Sequence, residues 1–246
     1  MMAAIKAEFR KLLTVRSTYI LTGFVILLVI FVAFYPEGWR LQGPQLHDPM
    51  TLTNDITGAL NVLVFGAVIA MLLMTHEYRY NTIMYTLTSS RSRSRILWAK
   101  FVTVSVYALL LTTTLAVLSP LMSYVGVHAS GHSLAPQTID YGSIIWRALF
   151  YGWAYIMSAY VLAALIRNQI GAIVALFVIP TVEQLLSILF KHASVYLPYI
   201  ALNAVTQQPS PQQGVISHGR AAAVFGVYLI VGWIVAWVLF LRRDAN

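Results

Sequence analysis

The chain has 246 residues, of which 59% are hydrophobic and 10% charged, with no cysteine and a formal net charge of +8. A mean hydropathy of +0.74 lies far outside the balance of a soluble domain, so the composition excludes an ordinary soluble fold and indicates an integral membrane protein. The lack of cysteine removes disulfide and thiol chemistry from consideration.

The first 17 residues, MMAAIKAEFRKLLTVRS, place Ile5, Phe9, Leu12 and Leu13 at helical spacing, with Lys6, Arg10 and Lys11 off that stripe. This pattern predicts an amphipathic helix lying in the membrane interface, with basic side chains reaching lipid phosphates. The plainer alternative is a charged flank that only sets topology.

Six apolar runs follow: Thr18 to Tyr35, Ile56 to Thr75, Phe101 to Tyr124, Ala148 to Ile166, Ile170 to Phe190 and Ala221 to Leu241. Each is close to the ~20 residues with which a helix crosses a hydrocarbon core of about 30 Å. None contains Lys, Arg or Asp, and only the fifth holds an acid, Glu183. The first run is too long for a signal-peptide core, and FYPEGWR after it offers no small-residue cleavage site, so it is read as a retained span.

An even number of spans puts both termini on one side. Twelve basic residues fall on that side (Lys6, Arg10, Lys11, Arg16, Arg79, Arg91, Arg93, Arg95, Lys100, Arg167, Arg242 and Arg243) and four on the other (Arg40, Arg147, Lys191 and Arg220). The positive-inside rule then predicts cytoplasmic termini.

Of the outer loops, Pro36 to Asp55 and Val125 to Trp146 are rich in Gly, Pro and His and read as irregular. In the third, Lys191 to Gly219, the apolar stretch VYLPYIALNAV (Val195 to Val205) is half a span long, which fits a re-entrant or interfacial segment. Pro120 and Pro180 lie inside spans three and five, where loss of a backbone hydrogen bond predicts kinks or breaks.

No G-x-x-x-x-G-K-[ST], H-E-x-x-H, G-x-S-x-G or C-x-x-C motif occurs, so any ATP use falls to another chain. Glu183 costs about 3 kcal/mol at a helix centre on insertion scales. It is either a polar group in a pathway or switch, or a structural acid that is protonated, or hydrogen-bonded near the Pro180 break or across a subunit interface. His128 and His132 form H-x-x-x-H in an outer loop containing Gly131, a context that favours solvated histidines over metal ligands. Arg147 is close enough in sequence to pair with Asp140 at the outer interface, and reads as an interfacial anchor.

The cytoplasmic segment from Thr75 to Lys100, THEYRYNTIMYTLTSSRSRSRILWAK, has three readings. By composition RSRSR resembles a nucleic-acid patch, although a segment bracketed by two spans has little reach. A topogenic loop meeting anionic lipid is the second. The third is a docking helix for a cytoplasmic motor, since Glu77 and Thr82 precede the apolar face Ile83, Met84 and Leu87.

With these residues in view, the whole chain resembles a permease subunit of the ABC-2 type exporter superfamily. IKAEFRKLLTVRSTYIL is similar to the family's connecting helix, with Glu8, Lys11 and Arg16 at matching positions. Glu77, Thr82, Leu87, Arg93 and Lys100 follow the order of the family's loop between spans two and three, with Asn81 and Ser90 in place of the usual Gly and Pro. The segment ALIRNQIGAIVALFVIPTVEQLL with YLPYIAL after it, carrying Arg167, Asn168, Gln169, Gly171, Glu183 and Pro198, resembles an actinobacterial-looking branch.

The resemblance implies an all-α integral membrane protein and a single permease domain over residues 1–246. Its parts would be six transmembrane helices, the interfacial helix, a coupling helix at about His76 to Leu87 within a loop over 76–100, and a half-span in the outer gate segment 191–219. It implies that Glu77, Thr82, Ile83, Met84, Leu87 and Arg93, with Arg167, Asn168 and Gln169 of the short RNQ loop, contact an ABC ATPase subunit. Pro180, Glu183 and Pro198 would be the intramembrane and gating group. It further implies a second permease subunit, identical or similar, in contact with membrane lipids of a bacterial plasma membrane. The chain itself would hold no cofactor, metal or nucleic acid; ATP and Mg would be bound by the partner ATPase. The chain would then move a drug, peptide, lipid or glycan outward. A non-transporting scaffold, sensor or immunity subunit shares the topology, and an intramembrane enzyme using Glu183 is a third class.

Overall fold

The computed structural model describes residues 2–41, 58–79, 93–132, 141–207 and 216–242, and among these it is helical, with no strand. Helix α1 (Met2–Thr14) turns at Val15, whose extended backbone separates it from α2 (Arg16–Phe34). A single π-helical turn, Tyr35–Trp39, ends this first span. A 3-10 turn, Ala59–Leu63, leads into α3 (Val64–Arg79), followed by α4 (Arg93–Ala129) and α5 (Tyr141–Ile166). Helix α6 (Gln169–Phe190) passes through a 3-10 turn, Lys191–Tyr196, to the short α7 (Pro198–Thr206), and α8 (His218–Arg242) completes the bundle.

Six of these helical stretches are long and apolar enough to cross a membrane. Helix α4, with 37 residues, is about 55 Å long at 1.5 Å per residue and overruns a ~30 Å core. Its first two turns are Arg93 to Lys100, which the sequence alone placed in the loop. The charges there do not stop the helix because basic side chains are good helix formers when their heads find water or a partner. Nor do Pro120 and Pro180 break their helices, since α4 and α6 run through them. Neighbouring turns and packing hold the helix around the one lost bond.

Helix α5 is the centre, packing against α3, α4, α6, α7 and α8. Ala148, Gly152, Ala154, Ala159, Ala163 and Ala164 on it are buried. Small residues let backbones approach where lipid gives no hydrophobic drive between helices. A Cβ on Gly152 would run into the Thr112 side chain of α4, and would lie 2.8 Å from Leu63. Interhelical hydrogen bonds fix the register: Trp153 Nε1 donates to Ser105 Oγ at 2.9 Å, and the Tyr160 hydroxyl to the Leu97 carbonyl at 3.1 Å. Thr22 and Tyr107 hydroxyls meet at 2.9 Å between α2 and α4.

The end of the bundle that carries α1 and the end of α8 is termed basal, and the opposite end apical. At the basal end, Trp98 and Phe101 of α4 pack on Trp233 of α8 with ring centroids 4.5 and 5.2 Å apart. At the apical end, the π-turn after α2 is clasped to α4 through two glycines. A Cβ on Gly38 would sit 2.7 Å from the Ser123 carbonyl oxygen and 3.0 Å from Gly126 Cα, and one on Gly126 would collide with the Phe34 carbonyl. These obstacles are backbone and cannot swing aside. Gly126→Ala is therefore expected to cost about 2 kcal/mol or more through overpacking, read as a lower melting temperature in detergent. Gly226→Ala, where a Cβ meets nothing within 4 Å, should leave melting unchanged or raise it slightly through helix propensity.

Candidate functional site

The basal end holds a buried ion cluster. On α1 the inward face is Glu8 and Leu12, with Ile5 and Phe9 half-buried, whereas Leu13 of the expected apolar stripe is 55% exposed. Glu8 is 6% exposed and Lys100 only 3%. Lys100 Nζ donates to Glu8 Oε2 at 3.0 Å and reaches the Leu73 carbonyl at 3.4 Å, while Lys11 Nζ, one helical turn along α1, donates to Glu8 Oε1 at 2.8 Å. One carboxylate thus joins α1 to α4, and the α4 lysine reaches the last turns of α3. The two lysines satisfy both oxygens, which is the condition for an acid to be buried without losing its charge. Lys100 therefore points into the protein and does not meet lipid, as the reading of Arg91 to Lys100 as an inner-leaflet anchor required. Arg16, at the start of α2, is exposed.

The turn between α5 and α6 is built on backbone geometry. Arg167 has φ +56°, a left-handed conformation that ends α5, and its amide still donates to the Ala163 carbonyl at 2.9 Å. Asn168 is the N-cap of α6, its side chain accepting from the Gly171 amide at 2.9 Å. The Arg167 guanidinium donates to the Leu239 carbonyl at 3.1 Å and lies over the Phe240 ring at 5.6 Å. It ties the turn to the end of α8. Of the three RNQ residues, Asn168 is exposed, and Arg167 and Gln169 are half-buried.

Within the bilayer, α7 is the feature that needs explaining. Nine residues span only about 13 Å, so both ends of α7 lie where its free backbone groups need partners. Pro198 stands at the first position, where its missing N–H removes one orphan donor. The next two amides, Tyr199 and Ile200, donate to Glu183 Oε2 at 2.7 and 3.1 Å. Glu183 is 5% exposed. Its carboxylate sits at the positive end of the α7 dipole, the favourable place for an anion. Neither the carbonyl freed by Pro180 nor a subunit interface is its partner. Around it, the Tyr199 and Ser158 hydroxyls meet at 3.2 Å, and Tyr155 packs edge-on to Tyr199.

At the apical end, His218 opens α8 and bridges two other helices. A carbonyl only accepts, so His218 Nδ1 donates to the Ala204 carbonyl at 2.9 Å, and Nε2 of the neutral ring accepts from the Arg147 guanidinium at 3.1 Å. Arg147 also donates from Nε to the Ser143 carbonyl at 3.0 Å. It holds His218 as well as the interface; Asp140, its expected partner, lies outside the described residues. The H-x-x-x-H pair does not converge, because α4 ends at Ala129 between its members and Gly131 has φ +82°. His128 stacks on Tyr124 and His132 Nδ1 contacts Ser130 Oγ at 3.0 Å.

Thr82, Ile83, Met84 and Leu87 lie outside the described residues. Glu77 belongs by its backbone to the last turn of α3, and Arg93 is the first residue of α4. The segment between them thus leaves and rejoins the bundle at the two helices joined by Lys100. Lys100, Arg147 and His218 were not singled out as site residues by sequence. Their partners are 92, 71 and 14 residues away, and no local pattern marks such pairs.

A family model described as ABC-2 family transporter protein matches residues 4–183. The chain belongs to this family. The match takes in the Glu8 and Lys100 cluster and the RNQ turn and ends at Glu183 itself, so α7 and α8 lie beyond it. No curated protein matches the chain. As an ABC-2 family member it is the multi-pass membrane permease component of an ABC transporter, a transport subunit that is not itself catalytic and that associates with an ABC ATPase.

Two outcomes follow from the geometry. Lys100→Met leaves Glu8 facing a buried position without its α4 partner and is expected to cost about 3 kcal/mol in detergent unfolding. Pairing it with Glu8→Met should recover most of that loss, because both charges then leave together. For Glu183→Ala, hydrogen exchange at the Tyr199 and Ile200 amides should accelerate by tenfold or more, the loss of two charge-assisted bonds of roughly 1.5–3 kcal/mol each. Glu183→Gln, whose carbonyl oxygen still accepts, should show a smaller change.

Proposed function

We propose that the permease is the transmembrane half of an exporter, driven by ATP and Mg bound in a separate ATPase subunit, in a bacterial plasma membrane with both termini cytoplasmic. The observation that supports this most is the arrangement of the basal end. The termini, the α5–α6 turn and both ends of the segment from Glu77 to Arg93 lie there together. Twelve of sixteen basic residues belong to the loops and termini of that side, which under the positive-inside rule is the cytoplasm.

In this reading Glu77, Thr82, Ile83, Met84, Leu87 and Arg93 form the coupling element that an ATPase grips, and Asn168 and Gln169 make a second contact. Arg167 is in the same turn, but its guanidinium is engaged with α8, so its part is to fix the turn's shape. Glu8, Lys11 and Arg16 place α1 beside the coupling element. Movement of that element reaches α3 and α4 directly and α1 through Lys100. Two permease subunits enclose the pathway, lipid surrounds them, and Pro180, Glu183 and Pro198 set the position of α7 near the outer gate. The cargo class is a drug, peptide, lipid or glycan.

The test is capture of the ATPase together with transport. The solubilised permease should retain an ABC ATPase, and Glu77→Lys or Arg93→Glu should weaken that complex by roughly tenfold or more, the scale of losing a charged interface contact. Efflux in proteoliposomes should require ATP hydrolysis. Undiminished ATPase capture by both charge reversals would remove the coupling role assigned to this segment.

A further inference from the structure

Helix α6 is packed on one side only. Ala172, Leu176, Glu183 and Ser187 are its buried residues. On an adjacent exposed face, Ile170, Val174, Phe177, Thr181, Gln184 and Ile188 follow one another at intervals of four, three, four, three and four. That is an unbroken heptad stripe along the whole span, the spacing with which one helix inserts side chains between those of another. All six are exposed, Ile170 by 75% and Ile188 by 72%. The next face round, Val178, Val182, Leu185 and Leu189, is also exposed and wholly aliphatic, as suits lipid.

Gln184 separates the two faces. It lies six residues before the end of α6, about 9 Å along the axis and so within the hydrocarbon. Hydroxyls at such depth satisfy themselves: Thr181 donates to the Phe177 carbonyl at 2.8 Å, and the exposed Thr113 and Thr114 of α4 bond to Leu109 and Leu110 carbonyls at 2.7 and 2.9 Å. The Gln184 carboxamide forms no hydrogen bond among the described residues, and lipid supplies neither donor nor acceptor. A carboxamide carries both, so it is complementary to a copy of itself across a two-fold axis. A polar residue at one heptad position also fixes register and partner number.

We propose that this stripe is where a second copy of the same chain packs, with the two Gln184 carboxamides hydrogen-bonded to each other. This rests on the reading of the chain as one of two permease subunits and makes that pair identical. It sets α6 against α6, leaving the Leu185 face to lipid.

The absence of cysteine makes the test direct. Single cysteines at Phe177, Thr181, Gln184 and Ile188, and at Val178, Val182, Leu185 and Leu189, are placed in the full chain and oxidised in native membranes. The stripe positions are expected to give a band at twice the chain mass several-fold more readily than the other four. A pattern peaking at Val182, Leu185 or Leu189, or no dimer band from any stripe position, overturns the proposal. A band at another mass, showing a different second permease, overturns the identical pair. Fluorescence transfer between labelled chains in lipid vesicles should show Gln184→Leu weakening self-association by roughly three- to tenfold, and Gln184→Asn weakening it less. Equal association in all three removes the role given to the carboxamide. ATPase capture, measured on the same preparations, reports separately on the permease reading: its loss with cross-linking intact counts against the transporter, and the reverse against the stripe.

Discussion

A helix that stops inside a bilayer must hand its free backbone groups to another part of the protein, because lipid cannot take them. The permease contains one such helix, α7, and the acid at Glu183 answers it with bonds from the Tyr199 and Ile200 amides. Pro198 and Glu183 divide the work: one removes a donor and the other accepts two. Glu183 on α6, Ser158 on α5 and His218 on α8 all hydrogen-bond to α7. Its place therefore fixes how three full spans meet at the apical end.

The same requirement operates at the basal end with a different solution. Glu8 and Lys100 are removed from water together, and such a pair adds little net stability over apolar packing while penalising any arrangement that separates it. Its contribution is specificity: α1 has one position, against α4 and the end of α3, at which the charges are satisfied. Leu13 is left exposed for the same reason, since turning it inward would rotate Glu8 away from Lys100. The aromatic cluster of Trp98, Phe101 and Trp233 then fastens α8 to this block, and Arg167 fastens the α5–α6 turn to α8.

What the sequence made legible follows from how far each signal reaches. Spans announce themselves because twenty consecutive apolar residues are a local property, and α7 because a half-length apolar run flanked by Pro is one too. Six helices of spanning length are present, and the short helix lies between the fifth and sixth. Glu183 was conspicuous by its cost, but its partner is set by a chain reversal through Lys191–Tyr196 that no periodicity specifies. Lys100 was hidden by its neighbours: next to Arg91, Arg93 and Arg95 it reads as one more topogenic charge. Only its burial beside Glu8 distinguishes it. The prolines misled because a missing backbone bond is a local fact, whereas its consequence depends on the packing around it.

Helix α7 is held by unequal bonds, and this has a consequence for any movement of the bundle. At its first turn two amides meet a carboxylate, bonds of roughly 1.5–3 kcal/mol each, whereas its last turn is held through a neutral imidazole on a carbonyl, closer to 1 kcal/mol. If α6 and α8 move apart, the weaker attachment at Ala204 yields first, and α7 travels with α6. His218 would then remain with Arg147, on the α5 side of the opening. The hinge of the proposed outer gate therefore falls between α7 and α8 and not at Pro180, which lies inside a helix that continues through it.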